Sequence, residues 1–258
     1  LLVLLCGVLA GAAQAQPADV AATVSQSIAP TTNAPRIGVV TMGPGDIFWE
    51  RFGHDAIVVV DAETDAATSY NFGFFDMEEP GFAGRFAKGD MRYYLMALPL
   101  EQDLAYYHDT GRGVSVQWLD LPPEEAQAIA DALAERAKPE NARYRYDYFT
   151  NNCSTQVRDT LDTALGSALK SQMVGRSRGN TFRSEAVRLA SPATWMWLGF
   201  DLGLGPYADT PMSRWEEAYV PMRLADSLRQ AKNSAGRPLV QSEQVLVPHR
   251  IAPEPVEA

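Results

Sequence analysis

Apolar residues recur along this chain with two periods, and the changes from one to the other outline its elements. A short apolar strand is predicted over residues 37–42, ended by Gly43-Pro44-Gly45. Residues 46–52 read as a helical turn with Asp46 as N-cap. β-Branched residues then concentrate at 56–61, a strand that a polar loop at 62–66 joins to a return strand over 68–74. Further strands are predicted at 92–98 and 114–119, with a helical stretch near Leu104 between them. Pro122-Pro123 opens a helix through Ala137, in which Ala126, Ile129, Ala130 and Leu133 recur at helical spacing. Tyr144, Tyr146 and Tyr148 alternate with Arg143, Arg145 and Asp147, the mark of a two-faced extended segment. Asn151-Asn152-Cys153 opens a helix with Val157, Leu161 and Leu165 at every fourth position, and Gly166 ends it.

Strands in runs, helices inserted among them and no regular strand–helix alternation predict an α+β fold with a mainly antiparallel sheet. After Gly166 comes a polar stretch at 167–180. Helices follow near 181–190, 193–204 and 213–230, with Ser213 and Glu216 as a capping-box pair, and residues 238–247 close with one or two strands. The expected organisation is a core domain over 36–166, a mainly helical C-terminal subdomain over 167–250 and a disordered tail at 251–258.

The N-terminus points to export. Residues 1–10 are almost wholly apolar and Ala13-Gln14-Ala15 is a cleavage pattern, so residues 1–15 read as part of a secretory signal peptide, too short to span a bilayer. Cys6 is then signal filler, the mature chain starts at Gln16, and residues 16–35 form a flexible linker rich in Ala, Thr, Ser, Gln and Pro. The expected location is the periplasm, with no transmembrane segment in the mature chain.

Charge narrows the partners. With 22 Lys and Arg against 32 Asp and Glu, the net charge is −10. Such a chain offers no basic stripe to neutralise phosphates, so nucleic acid is not expected as a partner. Trp195, Trp197 and Phe200 could dip into a membrane interface, a peripheral contact, although such clusters are more often core.

Removal of the signal leaves one cysteine, Cys153. In an oxidising compartment most thiols pair; a lone one is buried and inert, an intermolecular linker, or a nucleophile. An asparagine cap places Cys153 in the first turn of its helix, where free N–H groups and the helix dipole favour an anion and are expected to lower the thiol pKa. The inert reading fits the apolar spacing equally well; the capping asparagines and export favour the nucleophile. Three histidines are available as base. His54 follows Gly53 at the entrance to a strand, whereas His108 sits at a helix end and His249 near the C-terminus. His54 is the best candidate. Asn71, on the strand that pairs with that of His54, is a candidate to orient the imidazole; Asp55 is nearer in sequence but points to the other side of its strand. Neither a G-x-S-x-G elbow nor a phosphate loop occurs. Asp46, Glu50 and His54 would share a helix face, but Gly53 breaks that helix, so neither a metal nor another cofactor is expected.

Residues 45–54 (Gly-Asp-Ile-Phe-Trp-Glu-Arg-Phe-Gly-His) resemble the histidine motif of the Lnb N-terminal periplasmic domain family, and 70–76 and 146–155 resemble its next two motifs. Ser213-Arg214-Trp215-Glu216 and Pro238-Leu239-Val240 are also similar, so the likeness runs from about Arg36 to Arg250. The resemblance implies a permuted papain-like (NlpC-type) domain, in which the histidine strand precedes a helix with the cysteine at its N-terminus. It also implies acyl transfer through a Cys153 thioester with His54 as base, on lipid or lipoprotein acyl groups. Distant relatives of that fold act as cell-wall amidases or peptidases, and a non-catalytic envelope module is the remaining alternative.

Overall fold

The computed structural model describes residues 34–76, 78–88 and 90–256. The predicted signal segment, Cys6 and almost all of the predicted linker lie outside them. The strands are β1 (Arg36–Met42), β2 (His54–Val60), β3 (Ala67–Phe74), β4 (Arg92–Pro99), β5 (Val114–Leu119), β6 (Arg143–Arg145) and β7 (Val240–Val247). They form one seven-stranded sheet in the order β6-β4-β3-β2-β1-β5-β7, and every pairing is antiparallel. The helices are α1 (Phe82–Ala87), α2 (Leu100–Thr110), α3 (Pro123–Arg136), α4 (Cys153–Ala164), α5 (Ala168–Met173), α6 (Phe182–Ala190), α7 (Thr194–Gly203), α8 (Arg214–Glu217) and α9 (Pro221–Leu228). The fold is α+β, as predicted.

Alternation along the central strands sends side chains to two separate cores. Ile37, Val39, Ile57 and Phe72 meet Ile129 and Leu133 of α3, Val157 and Leu161 of α4, and Leu224 and Leu228 of α9. Val40, Met42, Ala56, Val58 and Val60 face the other way, onto Leu100, Leu104 and Tyr107 of α2. A sheet covered on both faces explains why residues 56–60 are apolar throughout rather than alternating. Each Val, Leu, Ile, Met or Phe among them contributes about 1.5–3 kcal/mol by leaving water.

Several local expectations change in the folded chain. Asp46 does not cap a helix; a 3-10 turn over Phe48–Glu50 starts after Ile47. The segment predicted as extended pairs only as far as Arg145. Beyond it the Asp147 carboxylate accepts from the Phe149 and Thr150 amides (3.0 and 2.8 Å) and bends the chain into α4. The predicted 213–230 helix is split into α8 and α9 at Pro221, whose ring fits a first turn and not an interior. The polar stretch at 167–180 hides α5, whose buried Leu169 and Met173 are one helical turn apart but too few to register as a period. The segment from 167 onward also supplies β7, which pairs with β5, and Leu224, Leu228 and Leu239 share a core cluster with Ile37 and Leu161. Residues 251–256 carry no regular structure, yet Arg188 of α6 donates to the Glu254 carboxylate at 2.7 Å, so the expected disordered tail is held down. Among the described residues no helix is long and apolar enough to cross a membrane.

Candidate active site

The start of α4 is fixed from three sides. Asn152 caps it: its side chain accepts from the Thr155 amide at 2.9 Å while the Thr155 hydroxyl accepts from the Asn152 amide at 2.8 Å. Its amide nitrogen donates to the carbonyls of Tyr219 (2.8 Å) and Tyr148 (3.0 Å). Ser154 donates to the Ala218 carbonyl at 2.7 Å. Cys153 is therefore the first helical residue, partly buried and held in place by its neighbours.

The sheet opens where this helix begins. β1 and β2 stay paired down to Met42 and His54, but β2 and β3 pair only as far as Ala56 and Asn71. On the far side, β3 carries a bulge at Gly73, whose φ is 110°. A Cβ built on Gly73 would stand 3.9 Å from Cys153 Cβ and 4.0 Å from His54 Cε1. Cys153 comes from the helix layer on one face of the sheet. His54, alternating with Ala56 and Val58, belongs to the other. Both come within van der Waals reach of the side-chain position that Gly73 leaves empty.

His54 Nε2 lies 3.1 Å from Asn71 Oδ1. Asn71 is buried and donates through Nδ2 to Asp103 Oδ2 on α2 at 2.7 Å and to the Ser69 hydroxyl at 3.0 Å. Asp55 faces the other way, as alternation requires, and accepts from Thr41 at 2.8 Å. The carboxyl is fully buried, and its second oxygen has no partner.

These surroundings act strongly on charge. Burial pushes the His54 pKa down to about 4, helped by the nearby Arg112 guanidinium and opposed by the Asn71 hydrogen bond. Burial pushes the Cys153 thiol up to about 12, helped by the Asp55 charge. The backbone N–H groups of Asp55, Ser154 and Cys153 itself pull the other way. The lowered thiol pKa expected from the helix start is thus corrected: a helix terminus is worth about 1 kcal/mol, too little to offset burial. Asp55 is itself raised to about 7 by burial. At neutral pH these shifts leave Cys153 a thiol and His54 an unprotonated imidazole.

The two open onto a cleft of about 470 Å³. Its walls are largely aromatic, with Trp49, Phe52, Phe74, Tyr93, Tyr146 and Tyr148 among them. A cluster of polar groups sits among them. Arg112 donates to the Gly43 carbonyl at 3.0 Å and pairs with Glu50 at 3.3 Å, and Tyr106 donates to Glu50 at 2.9 Å. Glu50 is engaged there rather than with Asp46 and His54. Among the described residues no group of three or more His, Cys, Asp or Glu is placed to hold a metal ion. His108 and His249 lie away from the cleft. His108 is 3.4 Å from Asp109, and His249 accepts from the Gly113 amide at 2.8 Å.

The model of the Lnb N-terminal periplasmic domain family matches residues 27–188. The chain belongs to this family. The matched stretch holds His54, Asn71, Asp103 and Cys153. No curated protein and no solved structure matches the chain.

Within this Lnb-type periplasmic domain, sequence reasoning brought forward Cys153, His54 and Asn71, and the fold gathers all three around one opening. It missed Gly73, Asp103 and the Arg112–Glu50–Tyr106 group. Asp103 had a signal: Leu100, Asp103, Leu104 and Tyr107 form one buried helical stripe, and an acid in such a stripe needs a partner. Of the two readings left open for Trp195, the core one does not hold. Trp195 is 69% exposed and stands edge-on to Phe48, with ring centres 6.4 Å apart, while Leu202 on the same helix is 82% exposed. Phe48 also packs edge-on against Trp49 (54% exposed), which lines the cleft, so Trp195 extends an apolar surface from its mouth.

Proposed function

We propose that this domain is a periplasmic thiol acyltransferase or hydrolase that acts on lipid or lipoprotein acyl groups, with Cys153 as nucleophile and His54 as base. The observation that carries the reading is the convergence of Cys153 and the His54 imidazole on the empty side-chain position of Gly73, inside an aromatic cleft. In this reading the fold is a permuted papain-like (NlpC-type) domain, supported by a histidine strand that precedes a cysteine-headed helix and a central antiparallel sheet.

The reaction follows from the groups present. His54 takes the Cys153 proton as sulfur attacks the acyl carbonyl carbon, so a thiolate need not exist beforehand. The oxyanion that forms is held by N–H groups at the start of α4. Collapse breaks the bond to the leaving group, which takes the proton from His54, and an acyl thioester remains on Cys153. An amine or water then gives its proton to His54 and attacks the thioester, releasing the acyl product and the Cys153 thiol. An acyl chain suits the aromatic walls, and the exposed Trp49, Trp195 and Leu202 suit a lipid surface.

Turnover assays test the substrate class. Phospholipid vesicles and cell-wall peptides are offered in parallel, and release of lysolipid by the wild type but not by Cys153→Ser is the expected result. Turnover of peptides alone would assign the domain to the amidases, and no turnover of either would favour a non-catalytic envelope module.

A further inference from the structure

Asp103 lies on the buried face of α2, among Leu100, Leu104 and Tyr107. Its position there is explained by Asn71, whose amide nitrogen donates to Asp103 Oδ2 at 2.7 Å. A carboxylate has only acceptor sites, so the Asn71 atom facing it is the NH2 group. The Asn71 oxygen therefore points to His54 Nε2, 3.1 Å away. That oxygen cannot donate, so Nε2 carries the hydrogen and Nδ1 keeps its lone pair. Nδ1 is the only ring nitrogen left for Cys153.

The other contacts of the Asn71 amide enforce this only weakly: the Ser69 carbonyl, which can only accept, is 3.4 Å away, at the long limit of a hydrogen bond. The Ser69 hydroxyl, 3.0 Å from the amide, donates as readily as it accepts and would tolerate either orientation. With the amide reversed, its NH2 would face Nε2, the hydrogen would move to Nδ1, and the base would be lost.

We propose that Asp103 is a positioning residue: it locks the Asn71 amide and, through it, holds His54 in the Nε2–H tautomer that can accept the Cys153 proton. The inference rests on the assignment of Cys153 and His54 as nucleophile and base. Its test reads the resting protein, so it does not depend on finding acyl transfer.

The experiment is nitrogen-15 NMR of the full chain with labelled histidine at neutral pH. In the wild type the expected His54 signals are a protonated Nε2 and an unprotonated Nδ1. Asp103→Leu keeps the volume without an acceptor and should give a mixture of tautomers. Asp103→Asn presents its own carbonyl oxygen and should restore the single tautomer, and Ser69→Ala should leave it unchanged. Asp103→Ser, too short to reach Asn71, serves if the leucine variant fails to fold. Where turnover is measured, kcat should fall about 10- to 100-fold in the leucine or serine variant, with KM little changed, and recover in Asp103→Asn. A wild type with hydrogen on Nδ1, or a folded leucine or serine variant that keeps pure Nε2–H, overturns the proposal. So does a change of tautomer caused by Ser69→Ala alone.

Discussion

Gly73 and Cys153 are separated by the space of one missing side chain: a Cβ at position 73 would lie 3.9 Å from Cys153 Cβ. Two constraints meet there. The φ of 110° favours glycine, and in the proposed reaction the empty volume is where the attacked carbonyl enters. Gly73→Ala should destabilise the fold by about 1–3 kcal/mol through backbone strain alone. Gly73→Val adds bulk and should also stop alkylation of Cys153 in the folded protein. Thermal melts and iodoacetamide labelling measure the two effects. Fast labelling in a folded Gly73→Val variant would show that the opening lies elsewhere.

The raised thiol pKa governs how labelling depends on pH. Cys153 in the folded chain should react with iodoacetamide along a curve whose midpoint lies well above about 8.5, the ordinary thiol value. The Asp55 charge is one cause, so Asp55→Asn should move that midpoint down. An unchanged midpoint would mean that burial alone raises the thiol.

Much of the sheet was legible because β1 and β2 are compact runs rich in β-branched residues and the hairpin loop at 62–66 is short and polar. The Cys153 helix was legible from its asparagine cap, and His54 from its place at a strand entrance. Asp103 was not, because its partner Asn71 is 32 residues away and only the fold brings α2 over β3. The pKa of Cys153 was not legible for a similar reason. The helix terminus is written in local sequence, whereas the burial that outweighs it depends on the aromatic walls and Asp55. The exposure of α7 was not legible either, since aromatic spacing alone does not distinguish a core from a surface that seeks an apolar partner.

Stability should depend on pH through two groups of opposite sign. The Asp55 pKa is raised from 3.8 to about 7, so its contribution is full below pH 4 and is lost as pH rises through 7. The His54 pKa is depressed from 6.5 to about 4; the unfolded chain takes up that proton first, and stability is lost as pH falls from 6.5 towards 4. The two oppose each other between those values. Asp55→Asn should therefore match the wild type near pH 4 and exceed it at pH 8 by about 4 kcal/mol. Denaturant midpoints across that range check the sign. A variant less stable than the wild type at pH 8 would contradict a strained buried carboxylate.

The apolar surface at the cleft mouth should bind lipid. Trp195→Ser combined with Leu202→Ser should weaken sedimentation with phospholipid vesicles while changing folding stability by less than about 1 kcal/mol, because both side chains are exposed. Equal vesicle binding by the double variant would remove the lipid surface from the reading.

Intact-mass spectrometry during turnover bears most directly on Cys153 as nucleophile. The full chain is mixed with phospholipid carrying a heavy-isotope acyl chain, quenched in acid and weighed. The expected result is one added acyl group that hydroxylamine removes and that maps to Cys153, absent from Cys153→Ser and strongly reduced in His54→Ala. Turnover with no adduct on Cys153, undiminished in Cys153→Ser, would contradict a thioester mechanism at this site.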